Sequence, residues 1–347
     1  MLAALHCGAE IPRCARNDTH WAWHSGARSL VPRDDTERAG QDRGRVVAVA
    51  SSEAPALHRV APARPIRSNG PFATAWRRLA RNKLALFGSL VALAYVLLGV
   101  FGPMVAPYDY AKQNLLSANL PPMSEGHLLG TDQVGRDILS RLVTGIRISL
   151  VVGFGITAIS MVIGTLAGAI AGYRRGWVDT VISGIVEFTW GFPLILLAVL
   201  FAGVLGPGLT AAILAVGLIN WAGFARVVRG EVLGLREAEF VQAARASGLS
   251  EPRILARHVL PNVLAPALVM ASYYVALGII VEAGLSFIGM GAQTPLPSLG
   301  VMMAEGRNYM MQSHWITTIP GVAIVSVVLG LNLLGDGLRD VLDPRLK

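Results

Sequence analysis

Charged residues are scarce in this chain. Asp, Glu, Lys and Arg make up only 15% of its 347 residues, whereas 53% are hydrophobic and the mean hydropathy is +0.52. A typical soluble domain carries about 25% charged residues. This shortage excludes an ordinary soluble domain, and we expect an integral membrane protein. The 38 glycines fit helices that pack closely in lipid, where small residues let backbones approach.

Lysine and cysteine are rare as well, and their positions exclude two kinds of site. The lysines are Lys83, Lys112 and Lys347, and none ends a G-x-x-x-x-G-K-[ST] loop, so no nucleotide site is predicted. The two cysteines, Cys7 and Cys14, cannot build a disulfide framework or a thiolate metal site. The seven histidines are scattered. We therefore expect this chain to bind no metal and no cofactor.

Residues 1–70 show no helical or strand periodicity, and we predict a disordered leader there. Residues 71–108 are predicted to be a basic approach helix followed by a first transmembrane span. Residues 109–147 are predicted to be an extracytoplasmic loop, and residues 148–347 a core with five further spans. That core includes a polar cytoplasmic loop, residues 229–262.

Six apolar runs are long enough to cross a bilayer, which takes roughly 20 residues. We predict an all-α polytopic membrane protein with six transmembrane helices, the fifth being long enough to kink. The predicted spans are Leu84–Tyr108, Ile148–Tyr173, Val181–Leu205, Leu209–Val228, Val263–Met290 and Thr317–Leu334.

The net charge of +8 comes mainly from arginines that flank apolar runs. Cytoplasmic loops carry such arginines, so anionic lipid is the expected counter-charge and nucleic acid is not an expected partner. The arginine count favours a cytoplasmic location for both termini. A cluster between Arg136 and Arg147 opposes this orientation, although Asp132 and Asp137 can pair with part of it. The residues assigned to the cytoplasm are Arg77, Arg78, Arg81, Lys83, Arg174, Arg175, Arg229, Arg236, Arg245, Arg253, Arg257, Arg339, Arg345 and Lys347.

The polar loop contains the stretch EFVQAARASGLSEPRILARHVLP, residues 239–261. Helical spacing predicts one narrow face formed by Phe240, Ala243, Ala244 and Ser247. Gly248 is placed to end this helix in a left-handed conformation, and a second helix is predicted to run until Pro261 interrupts it. A DNA-binding helix-turn-helix is excluded because both flanks enter the membrane. A plain folded loop between spans remains the alternative.

The order Glu239, Ala243, Ala244, Gly248, Leu260 and Pro261 resembles the EAA loop of the membrane subunits of ABC importers. His258 departs from the general pattern, which has an aliphatic residue there. HLLGTDQVGRDILSRLVTGIRISL (127–150) and EAGLSFIGMGAQTPLPSLGVMMAEGR (282–307) are similar to stretches of the dipeptide/oligopeptide branch, which includes nickel and opine importers. The resemblance covers roughly residues 75–347 and points to the permease subunit with an extra N-terminal span.

The resemblance implies a type I ABC-importer permease fold in the bacterial inner membrane. It also implies a homologous permease subunit, two cytosolic ATPase subunits that bind ATP and Mg²⁺, and an extracytoplasmic substrate-binding protein. The EAA-like loop would couple this chain to an ATPase subunit. Peptides are the expected cargo.

Two further groups of residues are candidates. One is an outer-face motif, in which His127 is expected to have a structural or capping role; its residues are His127, Gly130, Thr131, Asp132, Gly135, Arg136 and Asp137. The other is the pair of intramembrane carboxylates, Glu187 and Glu282. They line the pore or contact a charged terminus of the cargo, or else they form interior hydrogen bonds or lie near the end of a span.

Three other function classes would have different requirements. A secondary transporter or channel would need no ATPase, and a receptor or scaffold would carry no substrate. An intramembrane protease would need His258 to activate Ser286. The intervening helix of about 28 residues separates these two side chains by roughly 40 Å, which excludes proton transfer between them.

Overall fold

The computed structural model describes residues 82–342, and within that range the chain is helical with two isolated β-bridges and no sheet. The predicted leader, the basic approach segment and the last five residues lie outside the described range. The helices are α1 (Lys83–Val105), α2 (Ile138–Arg174), α3 (Gly176–Trp190), α4 (Leu194–Leu205), α5 (Leu209–Arg236), α6 (Glu239–Ala246), α7 (Glu251–Phe287), α8 (Leu299–Gly306) and α9 (Trp315–Leu342).

Helices α2 and α5 run parallel to each other. A Cβ at Gly168 would lie 2.4 Å from the carbonyl oxygen of Ala225, and Gly164 and Gly172 meet the backbone of α5 in the same way, one turn to either side. Spacing of four residues places the three glycines on one face of α2. The two backbones therefore touch without a layer of side chains between them, as small residues allow in membrane helices.

The parallel arrangement requires the chain to cross the membrane between Arg174 and Leu209. Helices α3 and α4 make this crossing, and they meet at 93°. With α1, α2, α5, α7 and α9, each long and apolar enough to span, residues 82–342 contain six spans. The prediction of six transmembrane helices is confirmed.

The third predicted span, Val181–Leu205, is wrong as a continuous helix. It breaks between Trp190 and Leu194, where Pro193 follows Phe192. Proline offers no backbone N–H and disfavours a helical conformation in the residue before it, so the two halves take different directions.

The prediction that Pro261 interrupts a short helix is also wrong. Helix α7 is continuous from Glu251 to Phe287 and contains a π-helical turn at Leu255–Val259. In an α-helix, Pro261 would clash with the carbonyl group four residues earlier and leave it without a donor. The wider turn directly before the proline accommodates this defect and lets the helix continue. The helix that contains the fifth span therefore begins within the predicted polar loop.

Helices α2 and α5 also extend beyond their predicted ends. Helix α2 begins at Ile138, so residues 138–147 are helical and belong to the second span's helix. Helix α5 continues to Arg236, so the first residues of the predicted 229–262 loop are its last two turns.

Helix α1 packs against α9 at the edge of the bundle. A Cβ at Gly88 would lie 2.3 Å from the Cβ of Leu333, and Asn82 Nδ2 donates to Asp340 3.2 Å away. Outside its contacts with α9 and α2, helix α1 exposes large apolar side chains such as Leu90 and Phe101. Side chains of this type are suited to lipid contact.

Candidate functional site

A tight corner joins α6 to α7. Gly248 has φ +78°, and its N–H donates to the carbonyl of Arg245 over 3.0 Å, while the N–H of Leu249 donates to the carbonyl of Ala244 over 3.3 Å. These two bonds form a Schellman motif. The predicted left-handed Gly248 is confirmed. We call residues 237–250, which include α6 and this corner, the knob.

The inner face of the knob is apolar and buried. Val241 and Ala244 pack in one cluster with Ile254 and Val259 of α7 and with Val232 of α5. The predicted face of Phe240, Ala243, Ala244 and Ser247 is therefore wrong for Ala244, which points inward with Val241. Positions 241 and 244 share a side of the helix, and the glycine corner folds that side onto α7.

The outer face of the knob is open to solvent. It presents the Glu239 carboxylate, the Phe240 ring at 43% exposure and a surface of small side chains that includes Ala243 and Ser247. Within residues 82–342, no side chain forms a salt bridge with Glu239. A partner protein can therefore approach the α6 backbone closely and meet one aromatic ring and one carboxylate.

A polar link connects the knob to the end of α2. The Tyr173 hydroxyl donates to Glu251, and Arg245 Nε lies 3.1 Å from Glu251 Oε1. The hydrogen bond that Arg245 donates to the Glu251 carboxylate raises the pKa of Arg245, so its guanidinium stays charged. Our sequence reasoning missed Tyr173, because nothing in the order of residues brings position 173 next to position 251.

At the opposite end of the bundle, the 127–137 motif folds as compact turns. Gly130 and Gly135 have φ of +80° and +76°. A Cβ at Gly135 would lie 1.8 Å from the carbonyl oxygen of Asn114. Positive φ and this close approach both require glycine there. The Thr131 hydroxyl donates to the carbonyl of Ser117 within the same set of turns.

His127 and Asp137 fix the start of α2. His127 Nδ1 lies 2.9 Å from Asp137 Oδ1, and Asp137 Oδ2 accepts the backbone N–H of Ser140 over 2.8 Å. Asp137 is thus the N-cap of α2. Asp137 pairs with His127, whereas our expectation also allowed a pairing with the arginine cluster.

Four charged side chains meet behind these turns. Arg136 Nε lies 2.6 Å from Asp132 Oδ2 and its Nη2 lies 2.7 Å from Glu305 Oε2, while Arg141 contacts the same two carboxylates. All four are at least four-fifths buried, and their charges balance. The prediction that Asp132 pairs with the arginines is confirmed. Glu305 was missed because it comes from α8, far along the chain and outside any recognisable spacing.

The two intramembrane carboxylates have different surroundings. Glu282 is 0% exposed and accepts hydrogen bonds from Ser286 over 2.6 Å and from Ser149 over 3.2 Å. In this conformation Glu282 therefore forms interior hydrogen bonds and does not line an open surface. Glu187 is exposed and lines a cleft of about 330 Å³ with residues of α2, α3 and α5.

His258 and Ser286 lie near opposite ends of α7, and the Ser286 hydroxyl donates to Glu282.

No cluster of three or more His, Cys, Asp or Glu side chains suited to a metal occurs in residues 82–342.

Comparison with known proteins identifies the family. Residues 164–347 match the model of the binding-protein-dependent transport system inner membrane component. The chain belongs to this family. Residues 70–122 match the N-terminal TM domain of oligopeptide transport permease C, which agrees with the predicted extra N-terminal span.

Curated relatives of this family member are similar over most of their length. The chain is 42% identical to the dipeptide transport system permease protein DppC of Alkalihalophilus pseudofirmus, over 80% of this chain and 91% of that protein. It is 39% identical to DppC of Bacillus subtilis, over 79% and 85%. It is 38% identical to the oligopeptide transport system permease protein OppC of the same organism, over 78% and 88%.

A solved structure of the MetNI methionine ABC transporter in an inward-facing conformation also matches. The likeness covers 58% of this chain and 95% of that chain, with 24% identity and a TM-score of 0.48.

This family member is a multi-pass inner membrane protein with an all-α fold in residues 82–342, and it is a permease subunit of an ABC importer. The secondary-transporter alternative is thereby excluded.

Proposed function

We propose that this permease subunit imports di- or oligopeptides as one half of a heterodimeric pore. Its partners would be a homologous permease subunit, two cytosolic ATPase subunits and an extracytoplasmic binding protein that delivers the cargo. The names of the relatives, which include dipeptide and oligopeptide permeases, support the cargo class.

The observation that carries this proposal is the open outer face of α6 on a rigid corner. Small side chains admit close backbone approach, and Phe240 and Glu239 offer one apolar and one charged anchor. We propose that this face inserts into a cleft of an ATPase subunit. ATP and Mg²⁺ would be bound only by the ATPase subunits, since this chain has no phosphate-binding loop.

The transport cycle then follows from this contact. ATP binding closes the two ATPase subunits and moves both knobs, and the spans change from inward-facing to outward-facing to accept cargo from the binding protein. Hydrolysis returns the pore to its first state. The step is a two-state movement biased by ligand, with no covalent chemistry in this chain.

This arrangement requires the knob and both termini to lie in the cytoplasm. The 127–137 motif would then lie on the side from which the binding protein approaches, held in shape by its two glycines and by the four-charge cluster behind it.

Co-purification tests the ATPase contact. A tagged chain is purified gently from native membranes, and we expect two ATPase subunits and a second permease to accompany it. Gly248→Pro removes the N–H that closes the corner and imposes a negative φ, so the ATPase subunits should be lost. Gly248→Asn is the matched control, because asparagine tolerates the left-handed conformation; it should keep them.

A second pair of variants tests the anchor itself. Glu239→Lys reverses the charge on the outer face of α6, and we expect the ATPase subunits to dissociate. Glu231→Lys is the control, because it makes the same charge change at an exposed position of α5 outside the knob. Retention of the ATPase subunits by Gly248→Pro and Glu239→Lys alike would refute the contact.

A further inference from the structure

The cleft beside Glu187 contains more charge than a membrane-facing surface can hold. It lies between α3 and α5, next to the end of α2, and its lining residues are Ala171, Ile182, Ser183, Val186, Glu187, Ala225, Arg226 and Arg229. One carboxylate and two guanidinium groups therefore face a single volume of about 330 Å³.

Arg226 and Glu187 lie within the predicted spans Leu209–Val228 and Val181–Leu205, and Arg229 lies one residue beyond the first of these spans. Helix α5 has 28 residues, a length of roughly 42 Å, which exceeds a hydrocarbon core of about 30 Å. Arg226 lies roughly 15 Å from the last residue of α5, and Glu187 lies roughly 16 Å from the start of α3. Ionisable side chains at this depth face water or a protein partner, not lipid tails.

The third charged residue of the cleft, Arg229, already forms a salt bridge. Its Nε lies 2.5 Å from Asp179 Oδ1 and its Nη2 lies 2.8 Å from Asp179 Oδ2. This bidentate salt bridge connects α5 to α3. Because Arg229 pairs with Asp179, the charges of Arg226 and Glu187 are available to bind a ligand.

Arg226 and Glu187 have no oppositely charged partner among the described residues. The Arg226 guanidinium lies 4.0 Å above the ring of Trp190, a stacking contact that leaves its edge N–H donors free. Among residues 82–342, no carboxylate lies within salt-bridge distance of Arg226 and no basic group within that distance of Glu187. The cleft thus presents one free cation and one free anion.

We infer that this cleft is a binding site for peptide termini on the translocation pathway, with Arg226 receiving the terminal carboxylate and Glu187 the terminal ammonium. A guanidinium edge binds a carboxylate through two parallel hydrogen bonds. The termini are the groups that all unmodified peptides share, so such a site accepts cargo regardless of side chains. A lipid phosphate would suit Arg226 but would be repelled by Glu187. This inference rests on the proposed peptide import and adds its binding residues.

Labelling of an introduced cysteine tests the site without ATP or the binding protein. In a background with Cys7→Ser and Cys14→Ser, Ser183→Cys places a thiol in the cleft and keeps Arg226 and Glu187 intact. We expect a water-soluble thiol reagent to modify this reporter in the purified complete complex. Leu90→Cys, on the exposed apolar face of α1, is the lipid-facing control and should remain unmodified in the same complex reconstituted in bilayers.

Peptide protection then identifies the ligand. Dialanine should slow modification of the Ser183→Cys reporter roughly tenfold when near saturation, since occupancy of the site excludes the reagent. N-acetyl-dialanine amide, which has no charged terminus, should give no protection. Adding Arg226→Gln or Glu187→Gln should abolish protection by dialanine, and Arg226→Lys should restore part of it because the charge remains without the planar fork.

Three results would overturn the inference. An unreactive Ser183→Cys reporter would place lipid or the second permease over the cleft. Equal protection by the capped and uncapped peptides, or none by either, would exclude recognition of the termini. The proposed peptide import is tested separately, by ATP-driven uptake of dialanine into vesicles that contain the wild-type complex and its binding protein; absence of uptake there refutes the function regardless of the labelling result.

Discussion

Asp132 shows how much one buried carboxylate can hold in place. It pairs with two arginines that come from the 127–137 motif and from the first turn of α2, and it is 1% exposed. Removing one partner of a buried ion pair leaves an uncompensated charge away from water, and this is more costly than the net contribution of the pair.

We therefore expect Asp132→Asn to destabilise the protein by about 3–5 kcal/mol. Glu305 alone would then face two guanidinium groups. Thermal unfolding of the purified complex in detergent measures the loss. Glu125→Gln, a charge removal at an exposed position without a salt bridge in residues 82–342, is the control and should leave the unfolding temperature unchanged. An equal effect of both substitutions would mean that the cluster contributes no more than a surface charge.

For single residues, the sequence predicted which residues matter better than it predicted which side chains they contact. Gly248 was predictable because a left-handed corner after a short helix requires glycine. Asp132 was predictable as an arginine partner because both lie within a few residues of each other. Glu305 and Tyr173 were not, since their contacts join segments far apart in the chain and no local pattern encodes such distances.

Among the elements, the α2–α5 pair depends on glycine where the two backbones touch, at Gly164, Gly168 and Gly172. Gly168→Ala would place a methyl group 2.4 Å from the carbonyl oxygen of Ala225, and the backbones could make room only by separating. Overpacking of this kind costs typically about 1–3 kcal/mol, and more where backbone must move.

We expect Gly168→Ala to lower the unfolding temperature clearly and to reduce the yield of folded protein. Gly184→Ala is the matched substitution in α3, where an added Cβ meets nothing within 4 Å. It should be neutral or stabilising by up to about 1 kcal/mol, because alanine is the better helix former. Equal tolerance of both changes would show that the two helices are not in backbone contact.

The polar link between α2 and the knob leads to a prediction about coupling. Tyr173→Phe removes the hydroxyl that donates to Glu251 but keeps the ring in its buried position. If the link transmits movement from the knob to α2, ATP hydrolysis should continue while peptide uptake per ATP falls several-fold. Parallel assays of phosphate release and uptake in vesicles measure both. Tyr95→Phe, which removes a hydroxyl that contacts Ser326 far from the knob, is the control. A proportional fall in hydrolysis and uptake would assign Tyr173 a structural role only.

For the molecule as a whole, the sequence predicted six spans because bilayer thickness fixes the length of an apolar run. It placed their ends less well. Asp137 caps a helix that begins within a polar motif, and the helix after Glu251 continues through a proline by widening one turn. Hydropathy records neither event, because both depend on backbone hydrogen bonding. The break at Pro193 lay inside an apolar run and was hidden for the same reason.

The orientation of the whole chain can be tested directly. In the background without Cys7 and Cys14, Ser247→Cys lies on the knob and Lys112→Cys lies at the opposite end of the bundle, both at exposed positions. We expect a membrane-impermeant maleimide to label Lys112→Cys from outside intact cells and Ser247→Cys only after the cells are opened. The reverse pattern would invert the proposed topology.

The contact between α2 and α5 limits where this permease can bend. A layer of interdigitated side chains can yield by rotamer changes, but two backbones in direct contact have no such layer to rearrange. We therefore expect α2 and α5 to travel as one rigid body whenever the pore changes its facing. The angular change must then be absorbed elsewhere, and the break between Trp190 and Leu194, free of continuous helical hydrogen bonding, is the natural pivot.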